Sequence, residues 1–225
     1  MGPPPERPPP LPARFFDLYS SAPRIGDDPE LHDGRERGTP HQTGRWPTHV
    51  FVEWLPPADL ADSLERILPA DASSLLHSPY GAQLPLHVSL SPPLMLATDD
   101  KEPFLESLWE AIDDVSSFTI TFTGLRWLTN TAGTREFLAL AVTESQELIR
   151  LLEQTASVCR SMAYETFSQK NPQLHVSIAW RLPGNAREGS QEEVPVLAQE
   201  LLDSLRADVD TVKVKIGRVI HRKSL

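Results

Sequence analysis

One cysteine is all the thiol chemistry available in 225 residues: Cys159 stands alone. That excludes a disulfide framework and a thiolate metal cluster. It makes an intracellular, reducing compartment the simplest expectation. Cys159 itself is expected on the buried face of a helix rather than in catalysis. Long apolar runs are missing as well. Nothing approaches the roughly 18 consecutive apolar residues of a membrane-crossing helix, so no membrane partner is expected. Met1-Gly2-Pro3-Pro4-Pro5 lacks the apolar stretch of a secretory signal, and its prolines argue against myristoylation at Gly2. Positive charge is also in short supply, with 21 Lys and Arg against 31 Asp and Glu and a net charge of −10. A protein that grips nucleic acid through many phosphates needs the opposite balance. An enzyme that admits one or two nucleotides at a strand end does not.

What is present is enough apolar residue, 40%, for one domain or two small lobes. Proline clusters at the start: Pro3-Pro4-Pro5, Pro8-Pro9-Pro10 and Pro12 read as polyproline II or disorder. Residues 1–20 are expected as a flexible Pro-rich tail, tacked to the body by Phe15, Phe16, Leu18 and Tyr19. Residues 21–225 are expected as one bilobal domain, opening on a Gly, Pro, Asp and Arg-rich loop up to about residue 47. Strands and helices then alternate. Thr48 to Trp54 reads as a strand, and Leu60, Leu64, Ile67 and Leu68 as a helix after Pro56-Pro57. Leu86 to Leu90 is a strand stopped by Pro92-Pro93. A helix with the stripe Phe104, Leu105, Leu108, Ile112 and Val115 follows, with Asp99 and Glu102 as a capping box. Phe118, Ile120 and Phe122 alternate with threonines as a half-buried strand. Gly133 marks a turn into Glu136 to Val142. Leu148, Leu151, Leu152, Thr155, Cys159 and Met162 form a long helical stripe. Leu174 to Trp180 is a strand, Val194 to Arg206 a helix, and Val212, Val214 and Ile216 a final strand.

One phrase occurs twice: Leu86-His87-Val88-Ser89-Leu90 and Leu174-His175-Val176-Ser177-Ile178. The copies are 88 residues apart (87 to 175), which suggests two similar α+β lobes with antiparallel sheets. On a strand, side chains alternate between faces. Leu86, Val88 and Leu90 share one face, opposite His87 and Ser89. Leu174, Val176, Ile178 and Trp180 share a face, opposite His175 and Ser177. Facing one cleft, the two strands would hold two imidazoles and two hydroxyls around a single small anion.

That set suits RNA cleavage, because RNA carries its own nucleophile, the 2′-OH beside the phosphate. An imidazole titrates near neutrality, so one can take the 2′-OH proton while the other protonates the departing 5′-oxygen. Two serines can donate to the non-bridging oxygens. The product is a 2′,3′-cyclic phosphate, and no metal or other cofactor is required. Zinc is the competing chemistry. It needs a third ligand that no His-x-x-x-His or Cys pattern supplies. Of the other histidines, His49 reads as a sheet histidine, His32 and His41 as loop residues, and His77 and His221 as solvated. Asp99-Asp100 and Glu192-Glu193 read as helix N-terminal charges. Arg45, Arg135, Lys170 and Arg181 are the candidates for phosphate attraction.

The paired His-x-Ser strands resemble the 2H phosphoesterase superfamily. Further stretches make the chain similar to its U6 snRNA phosphodiesterase family: Leu31-His32-Asp33-Gly34-Arg35, Pro40-His41, Gly44-Arg45-Trp46, Thr48-His49-Val50, Thr129-Asn130 and Thr134-Arg135-Glu136-Phe137. The resemblance implies an α+β fold of two pseudo-symmetric lobes whose antiparallel sheets meet at a central cleft. It implies 3′→5′ trimming of the oligouridine tail of U6 snRNA in the nucleus, leaving a cyclic phosphate or a 3′-phosphate. His87 and His175 are implied as the acid–base pair, and Ser89 and Ser177 as phosphate ligands. The segment from Phe167 to Leu174, with Asn171 and Pro172, would line the nucleoside pocket, and Thr131 would reach the same nucleotide. Family members often place a tyrosine in that segment; here Phe167-Ser168-Gln169-Lys170 stands there, with Phe167 either stacking on the base or belonging to the core. The chain also stops at Lys223-Ser224-Leu225, where the family continues into a further strand. The expected partner is an RNA 3′ end, with no DNA, and the protein is expected as a monomer. The alternatives are another 2H enzyme, a 2′,3′-cyclic nucleotide phosphodiesterase or 2′-5′ RNA ligase-like protein, and a non-catalytic RNA-end-binding protein.

Overall fold

The structure, a computed structural model, describes residues 42–167, 173–184, 197 and 199–225. The Pro-rich tail, His32, His41, Lys170, Asn171, Pro172 and Glu192-Glu193 lie outside the described residues. The strands are β1 (Arg45–Trp54), β2 (Ser73–Ser74), β3 (Leu86–Ser89), β4 (Leu94–Ala97), β5 (Phe118–Thr129), β6 (Glu136–Val142), β7 (His175–Arg181), β8 (Arg206–Val209), β9 (Thr211–Ile216) and β10 (Val219–Ser224). The helices are α1 (Ala58–Glu65), α2 (Lys101–Ala111), α3 (Gln146–Ser161) and α4 (Gln199–Ser204). The sheet runs β10-β9-β1-β3-β7-β6-β5-β8, with β4 against β1 and β2 against β7, and each described pair is antiparallel.

The fold is α+β and antiparallel, as expected, with one refinement. The two halves are not separate sheets, because β3 and β7 pair with each other at Val88 and Val176. One face of the sheet carries the core. Leu86, Val88, Val176 and Ile178 are at most 3% exposed there, each contributing roughly 1.5–3 kcal/mol of apolar transfer. Leu60 and Leu64 of α1, Phe104 and Leu108 of α2, and Leu148, Leu151 and Cys159 of α3 join the same cluster. The helices thus cover that face and leave the other for a site. α3 starts where Ser145 accepts from the Leu148 N–H at 3.2 Å, a cap worth about 1 kcal/mol.

Several local expectations are corrected. The strand Leu174 to Trp180 does not alternate throughout. Ala139 faces Ser177 and Leu138 faces Ala179, so Ile178 is an extra residue in a β-bulge. The bulge puts Ile178 and Ala179 both in the core. Trp180 moves to the face of Phe137 and Ser177, where the Arg135 guanidinium lies 5.3 Å from its ring. A second bulge lies between Phe122 and Gly124. Gly124 takes φ +145° there, a conformation side chains resist. Beyond it, β5 continues in the opposite phase to Thr129. The capping box before α2 does not form: Asp100 instead accepts the Tyr164 hydroxyl, whose oxygen takes the Ala97 N–H at 2.9 Å. Leu94–Ala97, beyond the two prolines, is a strand, and Arg206 opens β8 rather than closing a helix. β9 is not the last strand. β10 follows it, with half-buried His221 in it.

Candidate active site

The register of three neighbouring strands builds the site. With Val88 opposite Val176, the adjoining antiparallel positions set Ser89 across from His175 and His87 across from Ser177. Such facing residues are about 4.5–5.5 Å apart at Cα. The two His-x-Ser pairs therefore form a square on the uncovered face, each histidine facing the other copy's serine. On the far side of β3, Phe51 faces Ser89 and Glu53 faces His87. On the far side of β7, Ala141 faces His175 and Ala139 faces Ser177. The next strand sets Gly124 beside Ala141 and Arg126 beside Ala139. That flank of the square is therefore made of small residues, Ala139, Ala141 and Gly124, with the longer Arg126 beside them.

The histidines are held neutral. His175 Nδ1 lies 2.7 Å from the Gln173 carbonyl oxygen. A carbonyl only accepts, so Nδ1 carries the proton and Nε2 keeps a lone pair for the cleft. Burial pushes the pKa of His175 below the usual histidine value, with the Arg126 cation adding to the effect and the Gln173 carbonyl opposing it. His87 is solvent-accessible yet ringed by protein on its other sides. The Phe51 ring stands edge-on at 5.5 Å and the His49 ring at 5.2 Å. Desolvation first, and His175 second, push His87 down to about 4. A neutral imidazole is ready to accept a proton. For a second one to donate, negative charge must enter the cleft and restore its basicity.

The surroundings favour such an anion. Glu53, the carboxylate beside His87, is paired by Lys213 Nζ at 2.7 Å. Arg126 lies on the same face and Lys215 sits opposite His49. Neither cation has an ion-pair partner among the described residues. The arginines expected from sequence do other work. Arg181 is buried between Glu136 at 2.6 Å and Asp71 at 3.3 Å, over the Trp127 ring. Arg135 covers Trp180, and Arg45 reaches the Met95 carbonyl at 3.4 Å.

Sequence reasoning missed two residues. Arg126 follows the β5 bulge, where the alternation of Phe118, Ile120 and Phe122 changes phase. His49 was read as a sheet histidine, yet its Nε2 is 2.9 Å from Ser89 Oγ; the period-2 set His49, Phe51, Glu53 was the available signal. Of the expected nucleoside contacts, Thr131 is exposed in the β5–β6 turn, and no hydrogen bond joins it to the square. Phe167 is half-buried and is not among the core residues. Asn171 and Pro172 lie outside the described residues. Among those described, no group of three or more His, Cys, Asp and Glu side chains could hold a metal ion, and no helix is long and apolar enough to cross a membrane.

A family model named HVSL, described as an uncharacterised conserved protein, matches residues 9–223. Its letters spell His87 to Leu90. U6 snRNA phosphodiesterase 1 of Neurospora crassa is 30% identical over 275 residues, covering 96% of this chain and 74% of the relative. The chain belongs to the U6 snRNA phosphodiesterase family. The Homo sapiens member is 30% identical over 200 residues, covering 85% of this chain and 74% of its own. Membership in the U6 snRNA phosphodiesterase family makes the chain a phosphodiesterase. Solved structures agree on the fold. Kluyveromyces marxianus Usb1 with uridine monophosphate superposes with TM-score 0.63 at 20% identity, over 80% of this chain and 98% of that one. E. coli LigT complexed with NADP+ gives 0.53 at 10% identity, over 81% and 96%.

Proposed function

We propose that this phosphodiesterase trims the 3′ end of RNA, with the oligouridine end of U6 snRNA as substrate, by a route that uses no metal. The observation that carries the reading is the square of His87, Ser89, His175 and Ser177 on one uncovered face. One imidazole takes the proton of the 2′-OH on the penultimate nucleotide. The 2′-oxygen attacks phosphorus, and Ser89 and Ser177 donate to the non-bridging oxygens of the crowded phosphorane. The bond to the 5′-oxygen breaks, and the other imidazole, protonated once the phosphate is bound, supplies the proton to that oxygen. The terminal nucleoside leaves, and the shortened RNA keeps a 2′,3′-cyclic phosphate. Water opening that ring would give a 3′-phosphate. The names of the relatives support U6 snRNA as the RNA and the nucleus as the place of work. Phe167, outside the core, is our choice to stack on the terminal base.

Oligouridine incubated with excess EDTA is expected to shorten one nucleotide at a time, and mass spectrometry of the new end to find a cyclic phosphate or a 3′-phosphate. Full inhibition by EDTA, or an end carrying a free 3′-OH, overturns the route. Turnover of 2′,3′-cyclic nucleotides with oligouridine left intact points instead to another 2H activity. Arg126 gives a second check. Replacing it by Gln removes a cation from the rim, and a charge-assisted hydrogen bond contributes about 1.5–3 kcal/mol. Uridine 3′-phosphate should then bind roughly 10- to 100-fold more weakly by calorimetry. Unchanged affinity removes Arg126 from the phosphate site.

A further inference from the structure

We infer that His49 is a positioning residue for this phosphodiesterase: its Nε2–H donates to Ser89 Oγ and turns the serine's single proton toward the phosphate. The inference rests on the proposed RNA-cleaving reading and adds a residue outside both His-x-Ser pairs. A serine hydroxyl has one proton and two lone pairs. If Ser89 spent its proton on His49, none would remain for a non-bridging oxygen. With His49 as donor, one lone pair is occupied and the O–H is left to point across the square.

The geometry suits that role. His49 lies on β1, on the face of Phe51 and Glu53, and its Nε2 is 2.9 Å from Ser89 Oγ. The ring is stacked on Phe51 at 5.3 Å between centroids and stands edge-on to His87 at 5.2 Å. Its backbone is pinned: the Val50 N–H donates to Ser91 Oγ at 3.1 Å, and the Val50 carbonyl accepts from Leu90 N at 2.8 Å. Burial, then the neighbouring His87 and Lys215, push the His49 pKa down to about 3. The ring is therefore neutral at working pH, with one N–H to give. The second copy has no counterpart. Ser177 faces His87 on one side and the methyl group of Ala139 on the other, and its hydroxyl has no hydrogen-bond partner among the described residues. The two serines are alike in sequence and unlike in support.

The test uses the full chain and oligouridine carrying one phosphorothioate at the terminal linkage, as separate Rp and Sp diastereomers. Sulfur at the oxygen Ser89 serves should slow the wild-type enzyme in one diastereomer. His49→Ala should lower kcat roughly 10- to 100-fold with KM little changed, since losing an oxyanion donor outright costs ~10²–10³. It should also abolish the thio effect of that diastereomer alone, as Ser89→Ala does. The double variant should be no slower than Ser89→Ala. His49→Gln, which keeps an amide N–H near the Nε2 position, should recover most of the rate. Thermal unfolding of each variant identifies any that fails to fold, and the Gln variant then carries the test. Wild-type kcat in His49→Ala, or a fall in kcat with both thio effects intact, overturns the inference while leaving the reaction standing. A wild-type enzyme that cleaves neither diastereomer nor plain oligouridine overturns the function beneath it.

Discussion

His87→Ala and His175→Ala each reduce oligouridine trimming by at least ~10³-fold, because general acid–base catalysis contributes about 10²–10⁴ per transfer and neither proton has another carrier in the square. The loss should fall on kcat, since both serines still hold the phosphate. The double variant should be little worse than either single one, as expected of groups that work as a unit. Single-turnover rates check this; trimming within tenfold of wild type by either variant ends the two-histidine mechanism. A stability control separates chemistry from folding. The folded-state pKa of His87 lies below the unfolded value of 6.5. Its neutral form therefore supports the fold fully above pH 6.5, and that support is lost as pH falls toward about 4. The His87→Ala variant lacks this group, so its melting temperature should fall less than wild type's between pH 7 and 5.

Removing one oxygen from the RNA should have a still larger effect. With a 2′-deoxy or 2′-O-methyl sugar on the penultimate nucleotide, the intramolecular nucleophile is gone. Only water could replace it, at a cost of roughly 10⁵-fold or more in effective concentration. The same change on the terminal nucleotide should be tolerated, because that sugar leaves with the 5′-oxygen and its 2′-OH takes no part. Gel or mass analysis of the two singly modified oligouridines gives the contrast. Normal cleavage of the penultimate 2′-deoxy substrate makes water the nucleophile and assigns the histidines another task.

The square was legible because strict alternation over four residues fixes faces, and both copies keep it up to Ser89 and Ser177. Beyond those points legibility failed for identifiable reasons. Trp180 is buried as expected, but on the other face: period 2 carried through Ile178 sets it beside Leu174 and Val176, and the bulge adds a residue there. Arg126 was overlooked because the second bulge, at Thr123, reverses the phase of Phe118, Ile120 and Phe122. His49 was placed on a strand correctly. Its role depends on β1 lying beside β3, and local pattern does not encode which strands become neighbours. β4 was lost behind Pro92-Pro93, whose ring constraints end one strand but do not prevent the next. Thr131 and Phe167 rest on the family resemblance alone, since neither lies on a strand whose alternation fixes a face.

The strand order has a consequence for how the molecule is made. β1, which carries His49 against Ser89, has β9 as its other main neighbour, and Lys213 meets Glu53 across 160 residues of chain. On the ribosome β1 emerges long before β9 and must wait with one edge unpaired. Sheets built on such distant pairings close slowly, and an open edge invites foreign strands. A chain released before β9 would hold all four residues of the square yet expose that edge. Loss of the last two strands should thus be felt first as aggregation, and only secondarily as lost catalysis.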